Sequence, residues 1–324
     1  MKCSNKAFCL LTIMVLAVFL CACSEDEYAM AYGQHPLENY HISTEASQMQ
    51  MDLFASDLCA INGDNTADCT IDTVNLYSAG VFDVNDREVL YAYSVNNQVN
   101  PASLTKIMTA LLVMENCDLD EVITIGDVTI YEDGIQLFNL REGDRISVRD
   151  LLYITLVYSG NDAALALAQH VAGDQDAFAE MMNARALELG ATNTNFVNPH
   201  GLSHENHYTT AYDLYLIFQQ AVQYDLFLEI INTTSYTVNY TTAEGEATSR
   251  TISTTNRYLT GDYDFPNQIA IVGGKTGSTM AAGKCIILYA NDSAGNPYIC
   301  VVMGANDEVA LYGTMTALCE ETIK

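Results

Sequence analysis

The sequence predicts an α+β fold: an antiparallel sheet covered by terminal helices, with a helical subdomain inserted in the middle of the chain. Two observations predict it. Strand-like runs stand at both ends of the body, Tyr77 to Val84 and Glu88 to Tyr93 early, then Ile269 to Val272, Cys285 to Ala290 and Tyr298 to Met303 late. Between them lie apolar runs of helical length, and no internal repeat is apparent.

The first 23 residues stand apart from that body. Lys2 and Lys6 make a basic start, and Ala7 to Leu20 is apolar but too short for a comfortable membrane span. Leu20-Cys21-Ala22-Cys23 then resembles a bacterial lipoprotein signal box, with Cys23 as the lipidation site and acidic Ser24-Glu25-Asp26-Glu27 directly after it. Either a lipoprotein signal or an ordinary one exports the chain, to the outer face of the cytoplasmic membrane or the cell wall. Residues 24 to 73 are polar, acidic and weakly patterned, so they read as a tether with one helical stretch near Glu45 to Leu58. The folded body is expected over 74 to 324.

Each element of the body has a local cause. Asn85-Asp86 separates the first two strands as a hairpin turn. Pro101 precedes a helix that starts at Ser103 and buries Ile107, Met108, Ala110, Leu111 and Leu112. Glu121 to Ile125 and Ile135 to Leu140 read as short extended pieces. Val148 to Val157 and Ala163 to Ala172 read as helices, broken by Ser159-Gly160-Asn161. Ala177 to Leu189 ends at Gly190, a usual helix stop. Thr209 or Thr210 opens the next helix, to Tyr224. Thr234 to Tyr240 is a strand, the turn Asn291 to Pro297 joins the last two sheet strands, and Glu308 to Ile323 closes as a helix.

Composition excludes several functions. Acidic residues outnumber basic ones 41 to 13, for a net charge of -28. That argues against nucleic acid and against direct adsorption on an anionic lipid surface, both of which want basic patches. Ten cysteines include no Cys-x-x-Cys pair, so a structural zinc site gains no support. Cys59 and Cys69 could close a short disulfide loop outside the cell, whereas Cys285 and Cys300 lie in apolar strands and read as buried thiols.

Three short motifs carry the chemistry. Ser103 and Lys106 are three residues apart, so a helix there puts both on one face. A serine at a helix N-terminus sits in positive potential, and a buried lysine loses its proton readily enough to act as that serine's base. Ser159-Gly160-Asn161 follows, then Lys275-Thr276-Gly277. The ordered set Ser-x-x-Lys, Ser-x-Asn, Lys-Thr-Gly is the signature of penicillin-recognising serine acyltransferases.

With those motifs and with Asn198-Pro199-His200-Gly201-Leu202, His207 to Asp213, and Ala282-Gly283-Lys284-Cys285, the chain resembles the serine D-Ala-D-Ala carboxypeptidases, the low-molecular-mass penicillin-binding proteins of peptidase family S11. The resemblance runs from about Ser78 to Thr316. It implies a β-lactamase/transpeptidase-like fold, a five-stranded antiparallel sheet flanked by helices with an inserted all-helical subdomain. It implies Ser103 as the acylated nucleophile, Lys106 as its base, and Ser159 as the relay between Lys106 and the leaving amine. Asn161 then binds the substrate amide, Lys275 supplies positive potential, Thr276 takes the terminal carboxylate, and the N–H groups of Ser103 and Ser278 form the oxyanion hole. Gly277 leaves the strand edge bare for a peptide. The implied partners are the D-Ala-D-Ala end of a peptidoglycan stem peptide and β-lactams, with no metal or organic cofactor.

One departure stands out: the stretch Gly304 to Leu311 carries no arginine, where family members often place one near the substrate carboxylate. Three other readings are weighed. A class A β-lactamase needs Glu-x-x-x-Asn between the second and third motifs, and no glutamate there has an asparagine four residues on. His200, His204 and His207 lie close enough to read as a metal cluster, against a polar loop bonded to its own backbone. A non-catalytic or endopeptidase wall-peptide binder also remains open.

Overall fold

The computed structural model describes residues 58–323 apart from positions 62, 67, 68 and 133. The signal segment with Cys23, most of the acidic tether and most of the helix expected near residue 45 lie outside the described residues.

Five strands form the antiparallel sheet: β1 (Ser78–Asp83), β2 (Glu88–Tyr93), β7 (Ala270–Thr279), β8 (Gly283–Asn291) and β9 (Pro297–Ala305), in the order β2-β1-β9-β8-β7. The early and late runs thus meet in one sheet, with Ala79 opposite Val302 and Gly80 opposite Val301. β9 is buried along nearly its whole length because both faces are covered. One face packs under the closing helix, α7 (Glu308–Thr322), through Ile286, Leu288, Val302, Leu311, Met315 and Leu318. The other face packs against the insert through Phe82, Ile287, Val301 and Met303.

The insert holds α1 (Lys106–Asn116), α2 (Val148–Tyr153), α3 (Asn161–Ala172), α4 (Gln175–Glu188), α5 (Ala211–Ala221) and α6 (Asp225–Asn232). Its helix starts are capped as their sequences direct. Ser147 Oγ accepts from Asp150 N at 3.0 Å, Asp174 from Ala177 N at 2.8 Å, and Thr210 Oγ1 from Asp213 N at 3.0 Å.

Four expectations need correction. The insert is not all helical: it carries a four-stranded sheet of β3 (Val122–Thr124), β4 (Arg145–Ser147), β5 (Ser235–Thr241) and β6 (Ala247–Ser253). β3 and β5 fall on the extended piece Glu121 to Ile125 and the strand Thr234 to Tyr240 expected from the sequence, whereas β4 spans three residues, too few to show a period, and β6 is mostly small polar residues. Ile135 to Leu140 is no strand; a buried carboxylate described below holds it instead. The body begins before Val74. Cys59 is fully buried, Asn65 pairs with Ala92, and Thr70 N donates to Glu321 at 2.7 Å. Finally, no disulfide joins Cys59 to Cys69; the Cys59 thiol donates to the Asp83 carbonyl at 3.3 Å.

Candidate active site

Ser103 does not open the helix. It sits in a 3₁₀ turn, Ala102–Thr105, and Lys106 is the first residue of α1. The turn is pinned from behind. Asn100 Oδ1 accepts from Ala102 N at 3.0 Å, which supports the left-handed backbone of Ala102 (φ 47°). Thr105 Oγ1 lies 2.8 Å from the Ala102 carbonyl and 2.8 Å from His207 Nε2. Gly201 comes so close that a Cβ there would stand 1.9 Å from the Ala102 carbonyl oxygen.

Lys106 is fully buried, and its Nζ has three neighbours: Ser103 Oγ at 3.0 Å, Asn161 Oδ1 at 2.7 Å and the His200 carbonyl at 2.5 Å. Burial first, then the Lys275 charge, push its pKa well below the usual lysine value, against a smaller opposing pull from Asp162. That shift favours loss of the ammonium proton, and in its neutral form the amine has two hydrogens and one lone pair. The two partners that can only accept, the carbonyl oxygens of Asn161 and His200, take the hydrogens. The lone pair is left for the hydroxyl of Ser103. In its neutral form Lys106 can thus accept a proton from the serine hydroxyl 3.0 Å away.

The second motif follows a π turn, Ile154–Tyr158, that replaces the expected last turn of the helix begun at Val148. It ends on Ser159 in the left-handed region (φ 67°), from which Gly160 N donates back to the Ile154 carbonyl at 3.0 Å. Asn161 then opens α3 and faces Lys106. Asp162, next in the chain, is 2% exposed and accepts from Phe138 N, Leu140 N and Ala163 N, each at 3.0 Å. That carboxylate fixes the segment expected as a short extended piece. Arg250 adds to the hold, donating to the Phe138 carbonyl at 2.6 Å and lying over the rings of Phe138 and Tyr158.

The third motif is on β7, an edge strand of the sheet. Lys275 Nζ donates to Ser159 Oγ at 3.0 Å and to the Thr276 carbonyl at 2.7 Å, and burial lowers its pKa to about 7. Thr276 Oγ1 lies 2.6 Å from Thr255 Oγ1. Gly277 passes the nucleophile's turn closely: a Cβ there would lie 3.0 Å from Ser103 N. Ser103, Ser159, Asn161, Thr255, Thr276 and Ser278 all line one groove of about 680 Å³.

All eight site residues predicted within the body are therefore brought to one place. One pairing differs: the Ser159 hydroxyl is bonded to Lys275 rather than to Lys106. Thr255, the His200 carbonyl and Asp162 were not singled out from the sequence. Only Asp162 had a signal, since it adjoins the second motif. The histidine loop has a plain explanation. His200 Nδ1 accepts from Leu202 N at 3.2 Å and His207 Nδ1 from Val197 N at 3.1 Å. Burial lowers His200 to about 3 and His207 to about 4, so both are neutral near pH 7.

An antiparallel sheet with a mainly helical insert, and a serine hydrogen-bonded to a fully buried lysine at their junction, define the penicillin-binding class of folds. The chain belongs to the D-alanyl-D-alanine carboxypeptidase family Peptidase_S11, which it matches over residues 65–307. It is 35% identical over 237 residues to D-alanyl-D-alanine carboxypeptidase DacF of Bacillus subtilis, covering 71% of this chain and 57% of that one. It is 36% identical over 217 residues to a D-alanyl-D-alanine endopeptidase of Pseudomonas aeruginosa, covering 65% of this chain and 66% of that one. The chain thus spans about three fifths of the length of these curated relatives. Its structure is similar to that of the Streptomyces K15 DD-transpeptidase, with a TM-score of 0.71 and 27% identity over 78% of this chain and 98% of that one.

Proposed function

We propose that the protein is a serine-type D-Ala-D-Ala carboxypeptidase acting on peptidoglycan stem peptides, and that β-lactams acylate the same serine. The observation that carries the reading is the fully buried Lys106 Nζ, 3.0 Å from Ser103 Oγ, with its pKa pushed well below the usual lysine value. Ser103 gives its proton to Lys106 as Oγ bonds the carbonyl carbon of the penultimate D-alanine. The N–H groups of Ser103 and Ser278 hold the oxyanion. The proton returns through Ser159 to the nitrogen of the terminal D-alanine, the C–N bond breaks, and D-alanine departs. Water then attacks the acyl ester and restores Ser103. Asn161 and Thr276 hold the peptide, with Gly277 keeping the β7 edge open to it. Lys275 keeps Ser159 polarised.

The reading extends to place. The lipobox-like Leu20 to Cys23 supports an exported protein tethered by lipid on Cys23, with residues 24 to 57 as spacer. No helix among the described residues is long and apolar enough to cross a membrane.

The test is intact mass of the full chain after exposure to a fluorescent penicillin, beside Ser103→Ala. One adduct per chain, lost in the variant, is expected; no adduct on folded wild type overturns the mechanism. Release of free D-alanine from a pentapeptide then distinguishes hydrolysis from transfer to an acceptor amine.

A further inference from the structure

The groove extends past Thr276 to a charged end that the chemistry above does not use. In the β7–β8 pairing Ser278 lies directly opposite Lys284. Side chains two apart share a face, so Thr276, Ser278, Lys284 and Ile286 all point toward α7. Lys284 and Glu308 line the same groove as Thr255 and Thr276.

The charges there are unevenly matched. Arg257 Nη1 holds Glu308 Oε2 at 2.9 Å, while Lys284 Nζ stands 3.8 Å from Glu308 Oε1, near the limit of an ion pair. One carboxylate therefore faces two cations, and the more loosely held is Lys284, whose side chain is 33% exposed. The result is a net positive charge next to a pair of threonine hydroxyls, which is the chemistry of a carboxylate seat. It also answers the missing arginine of Gly304 to Leu311, since the positive charge comes from β8 instead.

We propose that Lys284 receives the carboxylate of the amino acid to be released, with Glu308 offsetting part of its charge and Arg257 holding Glu308 back. The proposal rests on the carboxypeptidase reading and names its specificity-determining cation. Lys284 selects a free C-terminal carboxylate over a blocked one, and it takes no part in proton transfer.

The experiment compares kcat/KM for an acyl-D-Ala-D-Ala peptide with that for the same peptide ending in a carboxamide. Wild type is expected to favour the acid. Lys284→Met lowers kcat/KM for the acid roughly 5- to 30-fold, mostly in KM, and leaves the amide unchanged. Glu308→Gln moves the preference the other way, because it frees the lysine. Acylation of Ser103 by a thioester lacking any carboxylate is followed in parallel, and it should be equal in all three proteins. If that acylation is normal but Lys284→Met leaves the acid-to-amide ratio where it was, or lowers both substrates together, the assignment is overturned. If wild type is never acylated, the parent reading falls, and this one with it.

Discussion

Lys275 Nζ lies 3.0 Å from Ser159 Oγ, and the two residues are 1% and 7% exposed. The contact couples the third motif to the second, across the junction of sheet and insert. A buried ammonium with few partners gives up its proton easily, which is why Lys275 titrates near 7. Its charge in turn bears on Lys106, so the two lysines are one electrostatic unit.

That unit predicts the pH dependence of acylation. The rate constant kcat/KM rises with pH as Lys106 loses its proton, with a midpoint well below the usual lysine value. It falls again as Lys275, at about 7, gives up the charge that draws an anionic substrate. The profile is therefore a bell, with its rising limb set by Lys106 and its falling limb by Lys275. Removing the Lys275 charge takes away one cause of the low Lys106 value, so Lys275→Met shifts the rising limb to higher pH and abolishes the falling limb. Penicillin acylation measured from about pH 5 to 10 checks this, and a flat profile would contradict it.

Ser159 separates a chemical role from a backbone cost. Its left-handed conformation (φ 67°) is one that residues with a Cβ adopt at roughly 1–2 kcal/mol, and glycine does not bear that cost. Ser159→Ala and Ser159→Gly both lose the hydroxyl, so acylation should drop at least about 100-fold in each. Their stabilities should differ, with the glycine variant the more stable by up to about 1 kcal/mol. Urea melts beside acylation rates decide it; equal melts would show that the backbone is not strained there.

What was legible in the sequence follows from spacing. Ser103 and Lys106 are one turn apart in either a 3₁₀ or an α-helix, so mistaking the turn type did no harm. The five sheet strands announced themselves through apolar runs and turns. The parts that were missed share a cause: they are polar contacts made at long range. The His200 carbonyl comes from a loop 94 residues from Lys106, and no residue type marks a carbonyl. Thr255 gains its place only because Val157 to Thr255 and Thr255 to Thr276 are bonded across the insert–sheet junction. Segment 135 to 140 is rich in apolar residues, as a strand is, yet the backbone N–H groups of Phe138 and Leu140 go to Asp162 rather than to a neighbouring strand.

Asp162 is for that reason a structural carboxylate with a functional reach. It takes three backbone hydrogen bonds in a buried setting, so Asp162→Ala leaves three donors without their acceptor. The expected loss is about 3–5 kcal/mol, shown by a lower melting temperature. Asp162→Asn keeps size and one acceptor oxygen, so it should lose less. Amide exchange at Phe138 and Leu140 should quicken in both variants before the rest of the protein opens. Unchanged exchange at those two amides would show that the segment is held by something else.

Two glycines of β7 should respond in opposite ways to the same added methyl. A Cβ on Gly274 would stand 2.3 Å from the Ile287 carbonyl oxygen, inside the sheet, where backbone cannot give way. Gly274→Ala is therefore expected to cost several kcal/mol of stability, as overpacking of a rigid contact does. A Cβ on Gly277 would meet Ser103 N at 3.0 Å and Leu104 N at 3.2 Å, a tight contact that a shift of a few tenths of an ångström relieves. The part that shifts is the turn carrying the nucleophile and its N–H donor. Gly277→Ala should fold with a loss of about 1 kcal/mol yet acylate roughly 10- to 100-fold more slowly, since small displacements of aligned donors are costly in rate. Thermal melts and penicillin acylation of the two variants give the comparison. A Gly277→Ala protein that acylates at the wild-type rate would show that β7 does not set the position of Ser103.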